Sequence, residues 1–198
     1  MCHRISPLLI EELKAAMRER DQSGRATLPQ RDPSVDVPDA YPGRQVPLLM
    51  PDPEGRLEPV ALTWGFEGPS GSRSKTVFNT RIETALAHAR SGRGMWAHAI
   101  LCGRCLVPVR GFYEWATRAP RDGRKEVRFV LPGHAVFLLA GICEKDRFSV
   151  ITTEPNADVS AVHSRMPLVL GPGESSTWLG PDFARLQDRS GLRLVAGP

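Results

Sequence analysis

The sequence predicts an α+β fold built around a curved, barrel-like β-sheet with a few helices at its periphery. Three observations lead to this prediction. Short apolar or β-branched runs are separated by Gly, Pro or charged turns, helical periodicity appears in only two places, and strands and helices do not alternate regularly as in a βαβ sheet. The 198 residues fit a single domain over 1–198, long enough to bury a core without disulfide bridges.

Two helices are predicted. The first covers residues 7–20 and begins at Pro7, a residue that favours the first helical turn. The apolar residues that share one of its faces are Leu9, Leu13, Ala16 and Met17. The second covers residues 80–91 and ends at Gly92. Its apolar residues at helical spacing are Ile82, Leu86 and Ala89.

The remaining elements are predicted to be strands. Residues 28–59 are rich in Pro and Asp, which excludes a helix and favours turns and extended edges. The strands are expected at 46–50, 60–66, 104–109, 127–131, 135–143, 147–153 and 192–195.

Composition excludes several classes of protein. No apolar stretch approaches the roughly 18 residues of a membrane span, and residues 1–14 lack the pattern of a signal peptide, so we expect a cytoplasmic protein with no membrane partner. Four cysteines are too few for a disulfide scaffold. Because no second Cys-x-x-Cys or His cluster accompanies Cys102 and Cys105, we predict a buried pair of ordinary thiols there, with no metal and no cofactor.

Basic charge is concentrated in the middle of the chain. Residues 71–131 carry twelve Lys or Arg against four Asp or Glu, whereas residues 1–60 carry eight against ten. A surface that binds a phosphate backbone would explain this distribution, and so would ordinary solvated loop charge. Charge alone leaves both interpretations open.

Cys2 follows the initiator Met1 directly. A residue this small allows the Met to be removed, which would place a free α-amine beside the Cys2 thiol. Such a 1,2-aminothiol condenses with an aldehyde to an imine, and the thiol then closes on the imine carbon to give a thiazolidine. With unperturbed pKa values of roughly 8 and about 8.5, both groups are partly deprotonated near neutrality. A small second residue also occurs by chance.

Three polar residues stand in apolar surroundings further along the chain. Asn79 lies just ahead of the second predicted helix and could simply cap it. Glu114 is flanked by aromatic residues, which should raise the pKa of its carboxyl and suit it to proton transfer, although an exposed turn would also hold a Glu. His163 could be an acid–base group or a core histidine bonded to backbone.

These segments together resemble one family. Met-Cys, Asn-x-Arg-x-Glu-Thr, Arg-Cys-Leu-x-Pro-x-x-Gly-Phe-Tyr-Glu-Trp, Ala-Gly-Ile-Cys-Glu, Thr-Thr-Glu-x-Asn and His-x-Arg-Met-Pro occur in the order and spacing of the SRAP (SOS response-associated peptidase) proteins. The resemblance covers the chain from Cys2 to about Trp178 and implies a single α+β domain with a barrel-like core.

The resemblance also implies an activity. After Met1 removal, Cys2 would form a thiazolidine crosslink with the ring-opened aldehyde of an abasic site in single-stranded DNA or at a single-strand/double-strand junction. By position, Asn79 would hold the Cys2 amine and the deoxyribose, and Glu114 would relay protons during imine formation. His163 would protonate the sugar oxygen that opens the ring, and could reverse the reaction. The family name also implies a peptidase activity that removes Met1. We expect a monomer that associates with the nucleoid when it is bound to DNA.

The resemblance also implies which residues contact DNA, by their positions in the matching motifs. The basic residues and their polar neighbour are Arg4, Arg81, Ser164 and Arg165, and the apolar groove residues are Pro42 and Trp64. Two departures stand out: His3 replaces the usual Gly, and Trp-Gly-Leu-x-Pro-x-Trp becomes the sequence of residues 64–70, without the second Trp. A noncatalytic single-stranded DNA-binding module, or an N-terminal-nucleophile thiol peptidase or amidohydrolase, remain alternatives.

Overall fold

A five-stranded closed barrel forms the centre of the protein. The computed structural model describes residues 2–18, 37–68, 76–116 and 125–197. The strands are β1 Arg4–Pro7, β2 Gln45–Pro51, β3 Leu57–Trp64, β4 Phe66–Glu67, β5 Thr76–Val77, β6 Asn79–Arg81, β7 Arg104–Trp115, β8 Glu126–Val130, β9 Phe137–Glu144, β10 Arg147–Thr153, β11 Met166–Pro167, β12 Val169–Leu170 and β13 Val195–Ala196. In the barrel, β7 pairs with β9, β9 with β10, β10 with β3, β3 with β2, and β2 again with β7.

The longest strand, β7, belongs to the barrel only in its first half. Residues 104–109 pair with β9, whereas residues 111–115 extend beyond the barrel and pair with β1 on one edge and β8 on the other. The residue pairs Arg4↔Tyr113 and Trp115↔Glu126 define the register of the two neighbouring strands. This extension carries Glu114 to the end of the barrel.

Apolar residues cover both faces of the barrel strands. Along β7, Cys105 and Val107 belong to one cluster that fills the barrel, and Leu106 belongs to a second cluster that lies against the helices. The same alternation occurs in β10, where Val150 belongs to the first and Ile151 to the second. Because each fully buried side chain of this kind contributes about 1.5–3 kcal/mol, the double burial explains why these strands are almost continuously apolar.

The helices lie outside the barrel. They are α1 Ile10–Arg18, α2 Ile82–Ser91, α3 Ala97–Cys102, α4 Ala157–Ser160 and α5 Ser175–Leu179, followed by a 3₁₀ helix at Phe183–Gln187. The buried residues Leu13, Ile82 and Ile100 of the longer helices belong to the second cluster. Gly92 ends α2 in the left-handed conformation, with φ of 65°, as its position in the sequence predicted. No helix in the described part of the chain is long and apolar enough to span a membrane.

The α+β class with a barrel-like sheet is confirmed, with several local corrections. The first helix begins at Ile10, because Pro7 belongs to β1; its predicted end at residues 19–20 lies outside the described residues. Strand 104–109 continues to Trp115, and the strand predicted at 192–195 is reduced to Val195–Ala196.

The predicted buried pair of Cys102 and Cys105 is also wrong. Cys102 is exposed at the end of α3, whereas Cys105 is buried. The thiol that neighbours Cys105 is Cys143, on the adjacent strand β9.

Two of the clustered basic residues serve the fold. Arg110 is buried and donates to the Pro7 carbonyl and to the Glu12 carboxylate, which ties β1 and α1 to β7. Arg104 donates to carbonyl groups at the end of α5. The basic segment is therefore only partly a solvated surface; its members at residues 73, 75, 118, 121 and 124 lie outside the described residues.

Candidate active site

Two strands bring the four predicted catalytic residues together at one end of the barrel. Strand β7 carries Glu114 and pairs with β1, which follows Cys2 directly. Strand β10 pairs with β6, which begins at Asn79, and with β11, which follows the turn that holds His163. Residues more than a hundred positions apart therefore reach the same place through strand pairing.

Two contacts connect the residues positioned by β7 with those positioned by β10. The Asn79 side-chain amide donates to the Cys2 carbonyl over 2.7 Å, and His163 Nδ1 lies 3.9 Å from a Glu114 carboxylate oxygen. The helix cap proposed as the alternative for Asn79 is wrong, because Arg81 is the N-cap residue of α2 and makes no side-chain cap. Asn79 Oδ1 is buried and has no hydrogen-bond partner among the described residues, so it can accept a further donor.

Glu114 is completely buried. It projects from the extension of β7 toward the barrel, and this burial raises the pKa of its carboxyl to about 7. The predicted rise is confirmed, and the alternative of an exposed turn is excluded. A carboxyl with this pKa is half ionised near neutrality and can both accept and return a proton.

The Cys2 side chain is likewise completely buried, within the cluster that fills the barrel. Burial raises the pKa of its thiol well above the usual range, the nearby Glu114 carboxylate raises it further, and hydrogen bonds with the backbone of Arg4 and Tyr113 act in the opposite direction. The thiol is therefore protonated at neutral pH. It donates to the Arg4 carbonyl, which lies 3.7 Å from Sγ.

His163 is oriented by backbone. The Arg165 N–H donates to His163 Nδ1 over 3.0 Å, and the Arg165 carbonyl lies 3.0 Å from the same nitrogen. Burial lowers the pKa of the imidazole, which favours its neutral form. The imidazole lies 3.9 Å from a carboxyl of pKa about 7, so the site holds two groups side by side that can accept or donate a proton.

A second polar cluster lies on the outer face of the same strands. Arg4 Nε donates to Asp39 over 2.6 Å, a second nitrogen of its guanidinium binds Glu126, and the group lies 4.1 Å above the Tyr113 ring. Glu126 also binds His3 Nε2 at 2.8 Å. A phosphate that approaches Arg4 must therefore compete with two carboxylates.

The other predicted DNA contacts differ in accessibility. Arg81 and Ser164 are exposed and Pro42 is half-buried, so all three are accessible to a ligand. The prediction that Trp64 contacts DNA is wrong. Its side chain is 0% exposed, its indole N–H donates to the Phe78 carbonyl, and it packs in the barrel. A base cannot stack on a side chain that has no open surface. Part of the sequence that follows, residues 69–70, lies outside the described residues.

Arg165 is held inside the protein. Its guanidinium makes two 2.9 Å bonds to Glu83, and it also donates to the Thr152 carbonyl. Glu83 is part of the Asn-x-Arg-x-Glu-Thr motif but had no predicted role. The pair connects that motif to His-x-Arg-Met-Pro and keeps the backbone of Arg165 against His163.

Two exposed aromatic residues near Cys2 were not predicted as site residues. Trp115 is 40% exposed beside His3, and Tyr41 is 46% exposed beside Arg4. Trp115 could have been found from the alternation of β7, since it faces away from the buried Glu114. Within the described ranges, no three His, Cys, Asp or Glu side chains lie close enough together to hold a metal ion.

A family model described as SOS response associated peptidase (SRAP) matches residues 1–195. The chain belongs to the SRAP family. It is 30% identical to the abasic site processing protein YoaM of Bacillus subtilis, over 61% of the chain and 56% of that protein. It is also 30% identical to the abasic site processing protein YedK of Escherichia coli, over 72% of the chain and 64% of that protein.

Solved structures share this SRAP fold. A protein from Bacteroides thetaiotaomicron superposes with a TM-score of 0.69 at 21% identity, over 98% of the chain and 91% of that structure. A protein from Bordetella bronchiseptica has a TM-score of 0.68 at 20% identity over the full length of both. The matches to YoaM and YedK thus span 56% and 64% of the length of these relatives.

Proposed function

We propose that this protein captures abasic sites in single-stranded DNA by forming a thiazolidine at Cys2. The observation that carries the proposal is the convergence of Cys2, Asn79, Glu114 and His163 at one end of the barrel. The names of the SRAP relatives support abasic sites as the target. The proposal requires removal of Met1, since only then does Cys2 carry both an amine and a thiol.

The order of the chemistry follows from the pKa values. Because the Cys2 thiol has a raised pKa, it is a poor nucleophile at neutral pH, and the freed amine attacks the aldehyde first. Glu114, with a pKa of about 7, accepts a proton as the amine adds and returns one as water leaves to form the imine. The thiol then adds to the imine carbon and closes the five-membered ring.

Asn79 and His163 assist other steps of this reaction. The bond from Asn79 fixes the Cys2 carbonyl, so the amine on the same residue is held in one orientation. His163, held by the Arg165 backbone, donates a proton from its protonated form to the sugar oxygen when the deoxyribose ring opens to the aldehyde, and the neutral imidazole that burial favours is left behind. The reverse proton transfers release the DNA.

The DNA strand is proposed to enter beside the exposed aromatic residues. Trp115 and Tyr41 offer stacking surfaces for bases next to the lesion, and Arg81 offers a phosphate contact. Arg4 contributes once a phosphate has displaced Asp39 or Glu126, and Arg165 acts chiefly through its hold on His163. Recognition of this kind reads an unstacked strand and not its base sequence.

The raised thiol pKa argues against the thiol peptidase. Acyl transfer to cysteine needs a thiolate, which enzymes obtain by lowering the pKa of the thiol, and here burial and Glu114 both raise it. An aldehyde adduct that begins at the amine does not need the thiolate in its first step.

The proposal is tested by incubating the protein with single-stranded abasic DNA and measuring the heat-stable adduct. The mature wild type should form it, and Cys2→Ala should not. Both Cys2→Ala and Cys2→Ser keep the freed amine but lack the thiol, so both should give an imine that survives only after borohydride reduction. Absence of any adduct from protein with a verified Cys2 terminus would support the noncatalytic DNA-binding module. Peptide turnover without DNA would support the peptidase.

A further inference from the structure

We propose that Glu83 is a positioning residue of the active site, which holds the His163 imidazole in place through Arg165. The inference rests on the proposed function, because it concerns the step in which the deoxyribose ring opens to the aldehyde. Glu83 acts on His163 in this step and not on the DNA.

The ion pair between Glu83 and Arg165 fixes the guanidinium in one orientation. Its two hydrogen bonds are both 2.9 Å long, one to each carboxylate oxygen, and the guanidinium also donates to the Thr152 carbonyl over 2.8 Å. Thr152 lies on β10 and Glu83 on α2. Because a bidentate pair limits the rotation of both planar groups, Arg165 is anchored to the helix on one side and to the barrel on the other.

Glu83 is ionised at neutral pH. Burial raises the pKa of its carboxyl, but the hydrogen bonds and the charge of Arg165, together with the backbone N–H of Glu83, leave that pKa below its usual value. The Arg165 side chain is only 12% exposed, so little water is available to replace the carboxylate as its partner. A glutamine at position 83 would keep the size of the side chain but remove its charge and one of its two acceptor oxygens.

The backbone of the anchored Arg165 suits both states of the His163 ring. The Arg165 N–H and carbonyl each lie 3.0 Å from His163 Nδ1. The N–H can donate to an unprotonated Nδ1, and the carbonyl can accept from a protonated one. The imidazole is therefore held whether or not Nδ1 carries a proton, provided that the Arg165 backbone stays in place.

Ring opening is the step that depends on this position. As the C1′–O4′ bond of the deoxyribose breaks, O4′ takes a proton from His163, and the C1′ hydroxyl gives its proton to water as the carbonyl forms. A proton donor must lie within hydrogen-bond reach of its acceptor, and a displacement of about 1 Å can cost about a hundredfold in rate. Removing the anchor of Arg165 should therefore slow this step.

The test compares two aldehydes, of which only one needs ring opening. Single-stranded DNA with an ordinary abasic site needs it, whereas an oligonucleotide with an acyclic aldehyde, which has no hydroxyl able to close onto it, does not. We expect Glu83→Gln to form heat-stable adduct at least about tenfold more slowly than the wild type with abasic DNA, and less than about twofold more slowly with the acyclic aldehyde. His163→Gln should show the same selective loss.

Two further variants test whether the effect passes through Arg165. Arg165→Lys keeps the charge but cannot form the bidentate pair, so it should show the same selective loss. Adding Glu83→Gln to Arg165→Lys should slow the reaction less than about twofold further. Glu154→Gln changes an exposed carboxylate that lines the same cavity as Glu83, and it should react like the wild type. Thermal denaturation verifies that each variant is folded at the assay temperature.

Three results would overturn the proposal. Equal slowing with both aldehydes would indicate a general structural defect, and a wild-type rate of Glu83→Gln with abasic DNA would exclude a role in ring opening. Tighter binding of DNA with a tetrahydrofuran abasic analogue, at an unchanged rate of adduct formation, would show that Glu83 only keeps Arg165 from a phosphate. A wild type that forms no adduct with either aldehyde would instead refute the proposed function itself, and this role with it.

Discussion

Replacing Glu114 with Gln should stabilise the fold at alkaline pH while it impairs the chemistry. Burial raises the pKa of Glu114 from an ordinary value of 4.5 to about 7. Each pH unit of that gap corresponds to about 1.4 kcal/mol, so ionised Glu114 lowers the free energy of unfolding by about 3 kcal/mol. The substituted glutamine side chain carries no charge, so this penalty is absent from the variant.

The size of this penalty depends on pH. Between pH 4.5 and 7 the folded protein binds more protons at Glu114 than the unfolded chain does, so the free energy of unfolding falls as pH rises. The penalty is small below pH 4.5 and complete above pH 7. About 2.5 kcal/mol of it develops between pH 5 and pH 8.

Urea denaturation of both proteins at pH 5 and pH 8 measures this difference. The gain in stability of Glu114→Gln over the wild type should be about 2.5 kcal/mol larger at pH 8 than at pH 5. Any cost of packing the glutamine amide is the same at both pH values and cancels. The same substitution at exposed Glu144 controls for net charge. A difference below about 1 kcal/mol, or of opposite sign, would refute the reasoning.

Three further substitutions test other parts of the site. Asn79→Ala removes the 2.7 Å bond to Cys2 and should cost about 1 kcal/mol of stability and slow adduct formation at least about tenfold; unchanged adduct kinetics would contradict this. Trp115→Ala should weaken binding of tetrahydrofuran-containing single-stranded DNA by about 1–3 kcal/mol in fluorescence anisotropy, whereas equal affinity would exclude stacking there. Glu83→Gln breaks the bidentate pair with Arg165 and should lower the free energy of unfolding by about 1–3 kcal/mol. An unchanged thermal denaturation curve would contradict this prediction.

The strands were the most predictable elements. Strand β10 was predicted at 147–153 and is found there, because a strand buried on both faces leaves a continuous apolar run. The second half of β7 was missed, since Arg110 and Gly111 interrupt the apolar run and only pairing with β1 and β8 continues the strand. The short helix α3 was missed as well, because six residues are too few to display helical periodicity.

The motifs indicated which residues form the candidate site, but they did not indicate how all of their side chains are buried and paired. Burial of Glu114 and the rise in its pKa followed from its aromatic neighbours. The burial of Trp64 and the pairing of Arg4 with Asp39 depend on tertiary contacts that no local sequence pattern encodes. The part played by Asn79 was ambiguous in the sequence, and the hydrogen bond to Cys2 favours the functional interpretation.

Intact mass spectrometry of the protein, before and after exposure to single-stranded abasic DNA, tests the central claim most directly. We expect a free protein that lacks Met1, and an adduct whose mass is that of this protein plus the DNA minus one water, because thiazolidine formation releases one water. After heating without borohydride, Cys2→Ala should give no such adduct, because its amine can form only the labile imine. A protein that lacks Met1 but forms no adduct, or a Cys2→Ala adduct that survives heating, would contradict the assignment of Cys2 as the group that captures the aldehyde.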